Sequence, residues 1–145
     1  MLKVGDQAPE FSLQTDDGST VKLGELGDKP VVLFFYPKDD TPGCTIECKE
    51  FRDAREAFQQ KAHVFGISAD DVASHQAFRD KFGLNFPLLA DPGGQVASQF
   101  GVWTDSQWGP MAKRTTFIIE GGKISRVFEN VKPQGHAQEV LGTLA

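Results

Sequence analysis

Only two cysteines, two tryptophans and one tyrosine stand among the 145 residues, and Lys and Arg never gather into a run. So few cysteines exclude a disulfide-stapled scaffold, and a chain of this length can bury one substantial core without staples. The missing basic cluster, with a net charge of -5 and a pI near 5.1, excludes nucleic acid and anionic membrane as partners. No apolar run approaches the roughly 20 residues that span a bilayer, and Met1 to Asp6 lack the apolar stretch of a secretory signal. These absences lead to an expectation of one domain, residues 1–145, working in the cytoplasm and away from membranes. In a reducing compartment two cysteines read as reactive or incidental rather than as a permanent bridge.

What is present is a clear alternation of elements. Phe11 to Leu13 and Thr20 to Leu23 flank Asp16-Asp17-Gly18, a hairpin signal. Val31 to Tyr36 is a continuous run of β-formers, as expected of a central strand covered on both faces. A helical pattern extends from Pro42 to about Lys61, placing Glu47, Lys49, Glu50, Arg52 and Asp53 largely opposite the apolar stripe. Val64 to Ser68 predicts a second buried strand, Val72 to Phe82 a helix ended at Gly83, and Phe86 to Leu89 a short strand. Gln95 to Phe100 predicts a short helix, and Asp105 to Lys113 the longest irregular loop. Thr115 to Ile119 and Lys123 to Phe128 form a hairpin around Gly121-Gly122, before a last helix over 135–144. That order argues for an α/β layer structure with a mixed sheet, helices against it and an N-terminal β-hairpin.

Both cysteines lie in the stretch directly after the most apolar strand. Thr41 suits an N-cap and Pro42 the first helical position, so Cys44 falls in the first turn. Free backbone N–H groups and the positive end of the helix dipole there favour a thiolate. The dipole contributes roughly 0.3 to 1 kcal/mol, up to ~2 in good sites, which is about one pKa unit. A cation is needed as well, because Asp39, Asp40 and Glu47 oppose ionisation. Arg52 is about 12 Å further along the helix; Arg114 is better placed, since its strand pairs readily beside Val31 to Tyr36. A surface salt bridge is the plain alternative for Arg114. Thr41 likewise divides between capping the helix and contacting a substrate.

The run Pro37-Lys-Asp-Asp-Thr41-Pro-Gly-Cys44 matches the Pro-x-x-x-Thr-x-x-Cys signature of peroxiredoxins, and with Tyr36 and Thr45 it resembles the Q-type, or bacterioferritin comigratory protein, branch. Similarity continues through Phe51-Arg-Asp, Phe86-Pro-Leu-Leu-Ala-Asp, Phe100-Gly-Val-Trp, Arg114-Thr-Thr-Phe and Gly135-His-Ala-Gln-Glu-Val-Leu. The resemblance implies a thioredoxin-like fold and a thiol peroxidase with Cys44 as peroxidatic cysteine, reducing hydrogen peroxide and organic hydroperoxides to give a sulfenic acid. It implies no metal and no cofactor, Thr41 and Arg114 as further catalytic residues, and Pro37, Pro42 and Gly43 around the bound peroxide. It also implies recycling by thioredoxin or a similar dithiol protein, and a monomer.

Cys48 departs from the branch pattern, in which a resolving cysteine in this helix stands five residues after the first; here that position is Lys49. Its two readings are a resolving cysteine, reachable if the first turn unwinds, and an ordinary buried hydrophobe aligned with Phe51 and Phe58. Two other functions compete. A thioredoxin-like copper chaperone would use Cys44, Cys48 and His136, and a general disulfide oxidoreductase would use the cysteine pair alone. His63, His75 and His136 show no ligand spacing among themselves, while Trp103 and Trp108 are candidates to wall the site near Arg114.

Overall fold

The computed structural model describes residues 1–144. Its strands are β1 (Ser12–Thr15), β2 (Thr20–Lys22), β3 (Val31–Phe35), β4 (His63–Ser68), β5 (Leu88–Ala90), β6 (Trp103–Ser106), β7 (Gly109–Ala112), β8 (Thr115–Glu120) and β9 (Lys123–Phe128). The helices are α1 (Pro42–Asp53), α2 (Arg55–Gln59), α3 (Val72–Phe82), α4 (Gln95–Phe100) and α5 (His136–Thr143). Seven strands form one mixed sheet in the order β2-β1-β5-β4-β3-β8-β9. β3 is an interior strand of it, next to the central β4, to which it runs parallel, and antiparallel to β8.

Every residue of β3 is buried, and its side chains alternate between two cores. Val31, Leu33 and Phe35 join Phe65, Phe100 and Phe117 on the face covered by α4. Val32, Phe34 and Tyr36 meet Cys44, Cys48, Phe51, Phe58, Phe78 and Val140 from α1, α2, α3 and α5 on the other. A strand covered on both sides needs apolar residues throughout, which is why the uninterrupted run reads as central. The expected thioredoxin-like α/β architecture, with its N-terminal hairpin, is the one observed.

Two expectations need correction. The long helix breaks at Ala54 (φ -94, ψ 6), where the chain bends and α2 brings Phe58 down towards β4. An apolar stripe continues across such a bend because both halves cover the same core, so the pattern alone does not reveal it. Residues 105–113 are largely not irregular: β6 and β7 pair as a separate antiparallel ribbon turning at Gln107-Trp108. Pro110 is tolerated because a two-stranded ribbon leaves half of its backbone N–H groups facing outward.

Candidate active site

The chain leaves the sheet at the end of β3 and returns as α1, and that turn determines where Cys44 sits. Asp40 adopts a left-handed conformation (φ 58), Thr41 is extended (φ -95, ψ 155), and Pro42 starts the helix. Cys44 is therefore the third helical residue, fully buried, and the Thr45 N–H bonds the Thr41 carbonyl at 2.9 Å. Among the described residues the N–H groups of Gly43 and Cys44 have no partner. Two donors at the positive end of a helix thus remain available to an incoming anion or oxygen atom.

The expected capping bond from Thr41 is absent. Its hydroxyl instead donates to the Lys38 carbonyl at 2.8 Å, because the left-handed turn at Asp40 brings that carbonyl within reach. The Thr41 oxygen keeps its accepting capacity.

Arg114 arrives from the neighbouring strand. Thr115 lies opposite Phe35 in the β3–β8 register, so the residue before it stands level with the chain as it leaves β3. Its Nη2 donates to Cys44 Sγ at 3.4 Å, and its Nη1 to Glu47 Oε1 at 2.7 Å. A Cβ on Gly43 would come within 3.0 Å of Arg114 Nη2 and 3.2 Å of Pro133 Cγ, so glycine allows this close approach. Burial opposes the Arg114 charge, but Cys44 and Glu47 beside it raise its pKa above the ordinary value. One guanidinium is thereby shared between a thiol and a carboxyl group.

Glu47 contradicts its expected place on the outer side of α1. It stands three residues after Cys44, on the same helix face, with its side chain fully buried. Burial pushes its pKa up to about 7, against the attraction of Arg114, and its Oε2 has no hydrogen-bond partner. The repeat Cys44, Glu47, Cys48, Phe51 was the available signal. A charged residue inside such a repeat points outward on sequence grounds, because charged side chains seldom go inside without a partner.

Cys48 is also fully buried, a free thiol like Cys44, and burial pushes its pKa well up. Pro42 begins the helix, Pro37 precedes the left-handed turn, and both help fix the backbone path into Cys44.

A second polar cluster lies on the other side of this turn. The Asp39 carboxylate accepts from Tyr36 Oη (2.6 Å), Ser74 Oγ (2.8 Å) and His75 Nδ1 (2.7 Å), while the Asp39 N–H donates to Asp70 Oδ2 (2.8 Å). His75 Nε2 is 2.9 Å from the Leu89 carbonyl. Asp39, Asp70 and His75 are the one trio of acidic, His or Cys groups among the described residues close enough to share an ion, and it contains a single histidine. Their hydrogen bonds to one another, to Ser68 and to Ser74 account for the cluster without one.

The copper reading fails on the same geometry. Cys44, Cys48 and His136 do not converge as a trio, and His136 is occupied by Thr116 Oγ1 at 2.7 Å and Glu139 at 3.0 Å. The tryptophans do not wall the site either. Trp108 is 78% exposed at the tip of the ribbon, and Trp103 packs against the opposite core.

Comparison with known proteins fits this geometry. The AhpC/TSA family matches residues 4–127. The peroxiredoxin bcp of Coxiella burnetii is 46% identical over 149 residues, covering 99% of each chain. The structure of a PrxQ cysteine-to-serine variant from Xylella fastidiosa superposes with a TM-score of 0.92 at 33% identity, covering 98% of this chain and 94% of that one. The bacterioferritin comigratory protein of Xanthomonas campestris, described for its alkyl peroxide reduction activity, gives 0.86 at 32% identity, covering 91% and 88%. With its family match, its full-length relatives and its fold in agreement, the chain belongs to the AhpC/TSA family of peroxiredoxins and is a thiol-dependent peroxidase that draws on a thioredoxin-like reductant.

Proposed function

We propose that Cys44 is the peroxidatic cysteine, reducing hydrogen peroxide and organic hydroperoxides, and that Cys48 resolves it. The observation that carries this reading is the Arg114 Nη2 contact to Cys44 Sγ at 3.4 Å beside two unpartnered helix N–H groups. The cation favours the thiolate, and its donors complement charge that develops as the O–O bond breaks. The Cys44 sulfur attacks the terminal peroxide oxygen, forming an S–O bond; the O–O bond breaks, and the leaving oxygen departs with a proton as water or an alcohol. Thr41, already donating to Lys38, accepts from the O–H of the hydroperoxide, while Pro37, Pro42 and Gly43 shape the pocket edge.

Cys48 then attacks the Cys44 sulfenic acid, releasing water and forming a disulfide. Four residues apart on an intact helix, the two sulfurs need the first turn to unwind. Gly43 and the missing side-chain cap make that turn inexpensive to open. A thioredoxin-type dithiol reduces the disulfide and restores both thiols. Because both cysteines belong to one chain, the cycle closes within a monomer, and the two free thiols suit a reducing cytoplasm. The two core clusters draw on residues from Ala8 to Val140, which supports one domain over 1–145.

Intact-mass measurement after one equivalent of peroxide tests the cycle. Wild type should lose two hydrogens, Cys44→Ser should be unchanged, and Cys48→Ser should gain oxygen. Equal oxygen adducts on wild type and Cys48→Ser would make the enzyme a one-cysteine peroxidase. Oxidation of Cys44→Ser at the wild-type rate would remove Cys44 from its role.

A further inference from the structure

The Asp39 cluster has no part in the steps above, yet it holds the same turn that presents Thr41 and Cys44. The His75 side chain is completely buried, and each of its ring nitrogens faces an acceptor: Nδ1 the Asp39 carboxylate at 2.7 Å, Nε2 the Leu89 carbonyl at 2.9 Å. A peptide carbonyl cannot donate, and a neutral imidazole carries only one N–H. The other neighbours of Asp39, Tyr36 Oη and Ser74 Oγ, donate to it, so the carboxylate oxygens serve these contacts as acceptors. With Asp39 accepting on that side as well, both nitrogens of His75 donate, and the ring carries two protons.

We propose that His75 is a positioning residue for peroxide reduction: a buried imidazolium, the counter-ion of Asp39, that rivets the turn carrying Thr41 and Cys44 to α3 and β5. This role rests on the reading of Cys44 as the peroxidatic cysteine.

The connections are direct. Asp39 is held through its carboxylate by residues 74 and 75 of α3, and through its N–H by Asp70; His75 in turn is fixed to the β5 backbone. Two residues further on, Thr41 closes the turn onto Lys38, and Cys44 follows three residues later. The groups facing His75 are Asp39 and Tyr36 from the end of β3 and its turn, and Asp70 from the turn before α3; β5 presents the Leu89 carbonyl. Burial works against a charge on His75, but the hydrogen bond to Asp39 and the charges of Asp39 and Asp70 outweigh it and raise its pKa. Without that cation, Asp39 would be a buried, unneutralised anion and would add to the field that opposes ionisation of Cys48.

Nitrogen-15 NMR of the reduced wild-type protein reads the state of the ring directly. Two protonated ring nitrogens on His75 at pH 7.5 are expected; a neutral tautomer there overturns the proposal. The functional arm uses His75→Gln and the double variant Asp39→Asn with His75→Gln. His75→Gln should slow peroxide attack by about ten- to a hundredfold, the range in which small displacements of reacting groups act. It should also slow disulfide formation. The double variant, having lost both charges, should recover disulfide formation more fully than peroxide attack. A folded His75→Gln protein with wild-type rates for both steps would overturn the role. If the variants do not fold, the wild-type spectrum decides the protonation state, and pH dependence of the peroxide rate decides the role: it should fall as the ring signal deprotonates, and a rate indifferent to that titration counts against it. The mass measurement settles separately which cysteine reacts, so failure of the Cys44 reading and failure of the His75 role are distinguishable.

Discussion

Two buried polar clusters flank the turn before α1, and they differ in how completely they are satisfied. On one side Asp39 uses both carboxylate oxygens and its backbone N–H, and each nitrogen of His75 has a partner. On the other, Arg114 divides its donors between Cys44 and Glu47, Glu47 Oε2 has no partner, and two helix N–H groups have none among the described residues. A fully paired network in a dry interior fixes one geometry, whereas unpaired groups retain the cost of their burial until something binds or reacts there. Under the proposed function, the complete cluster holds the loop and the incomplete one offers donors to a peroxide oxygen.

Breaking the incomplete side should produce the largest effect. Arg114→Ala removes the cation bonded to Cys44, and stopped-flow rates with hydrogen peroxide should fall about 100- to 1000-fold, as for loss of a transition-state donor. A loss below tenfold would place the catalytic effect in the helix end alone.

Glu47→Gln sharpens the contrast next, through stability. The pKa of Glu47 rises from 4.5 to about 7 on folding because burial outweighs pairing with Arg114. Its contribution is fully present below pH 4.5 and is lost as pH rises through 7, which destabilises the wild type by about 3 kcal/mol across that window. The Gln variant should escape this loss: urea unfolding should show it matching wild type at pH 4 and exceeding it by up to about 3 kcal/mol at pH 8. An equal loss in both proteins would mean that Glu47 is well paired when ionised.

Gly43→Ala should act least. Its backbone is helical, so the added methyl group favours the helix by roughly 1 kcal/mol while crowding Arg114 and Pro133. Peroxide rates should fall about three- to tenfold with a melting temperature equal to or above wild type. A rate unchanged to within experimental error would show that the guanidinium can shift without consequence.

Much of this was legible in residue order because the relevant signals are local. The β3 run, the Pro42 start, the Gly83 stop and the Gly121-Gly122 hairpin each follow from backbone preferences over a few residues. The break at Ala54 and the β6–β7 ribbon were not legible, since a bend preserves the apolar stripe and the ribbon lacks clean alternation. The inward place of Glu47 is not legible locally, because burial of a carboxyl group beside Arg114 depends on a partner 67 residues away.

The sequence by itself determined the family signature, the order of elements and the place of Cys44 in the first turn of a helix, because these rest on motif spacing and on conformational preferences within one segment. Only the tertiary structure decided that Arg114 reaches the thiol, that Thr41 turns back to Lys38, that Glu47 lies inside, and that His75 holds Asp39. Each of those depends on strand register or on packing between distant segments, which bring together charges whose separation along the chain says nothing of their separation in space.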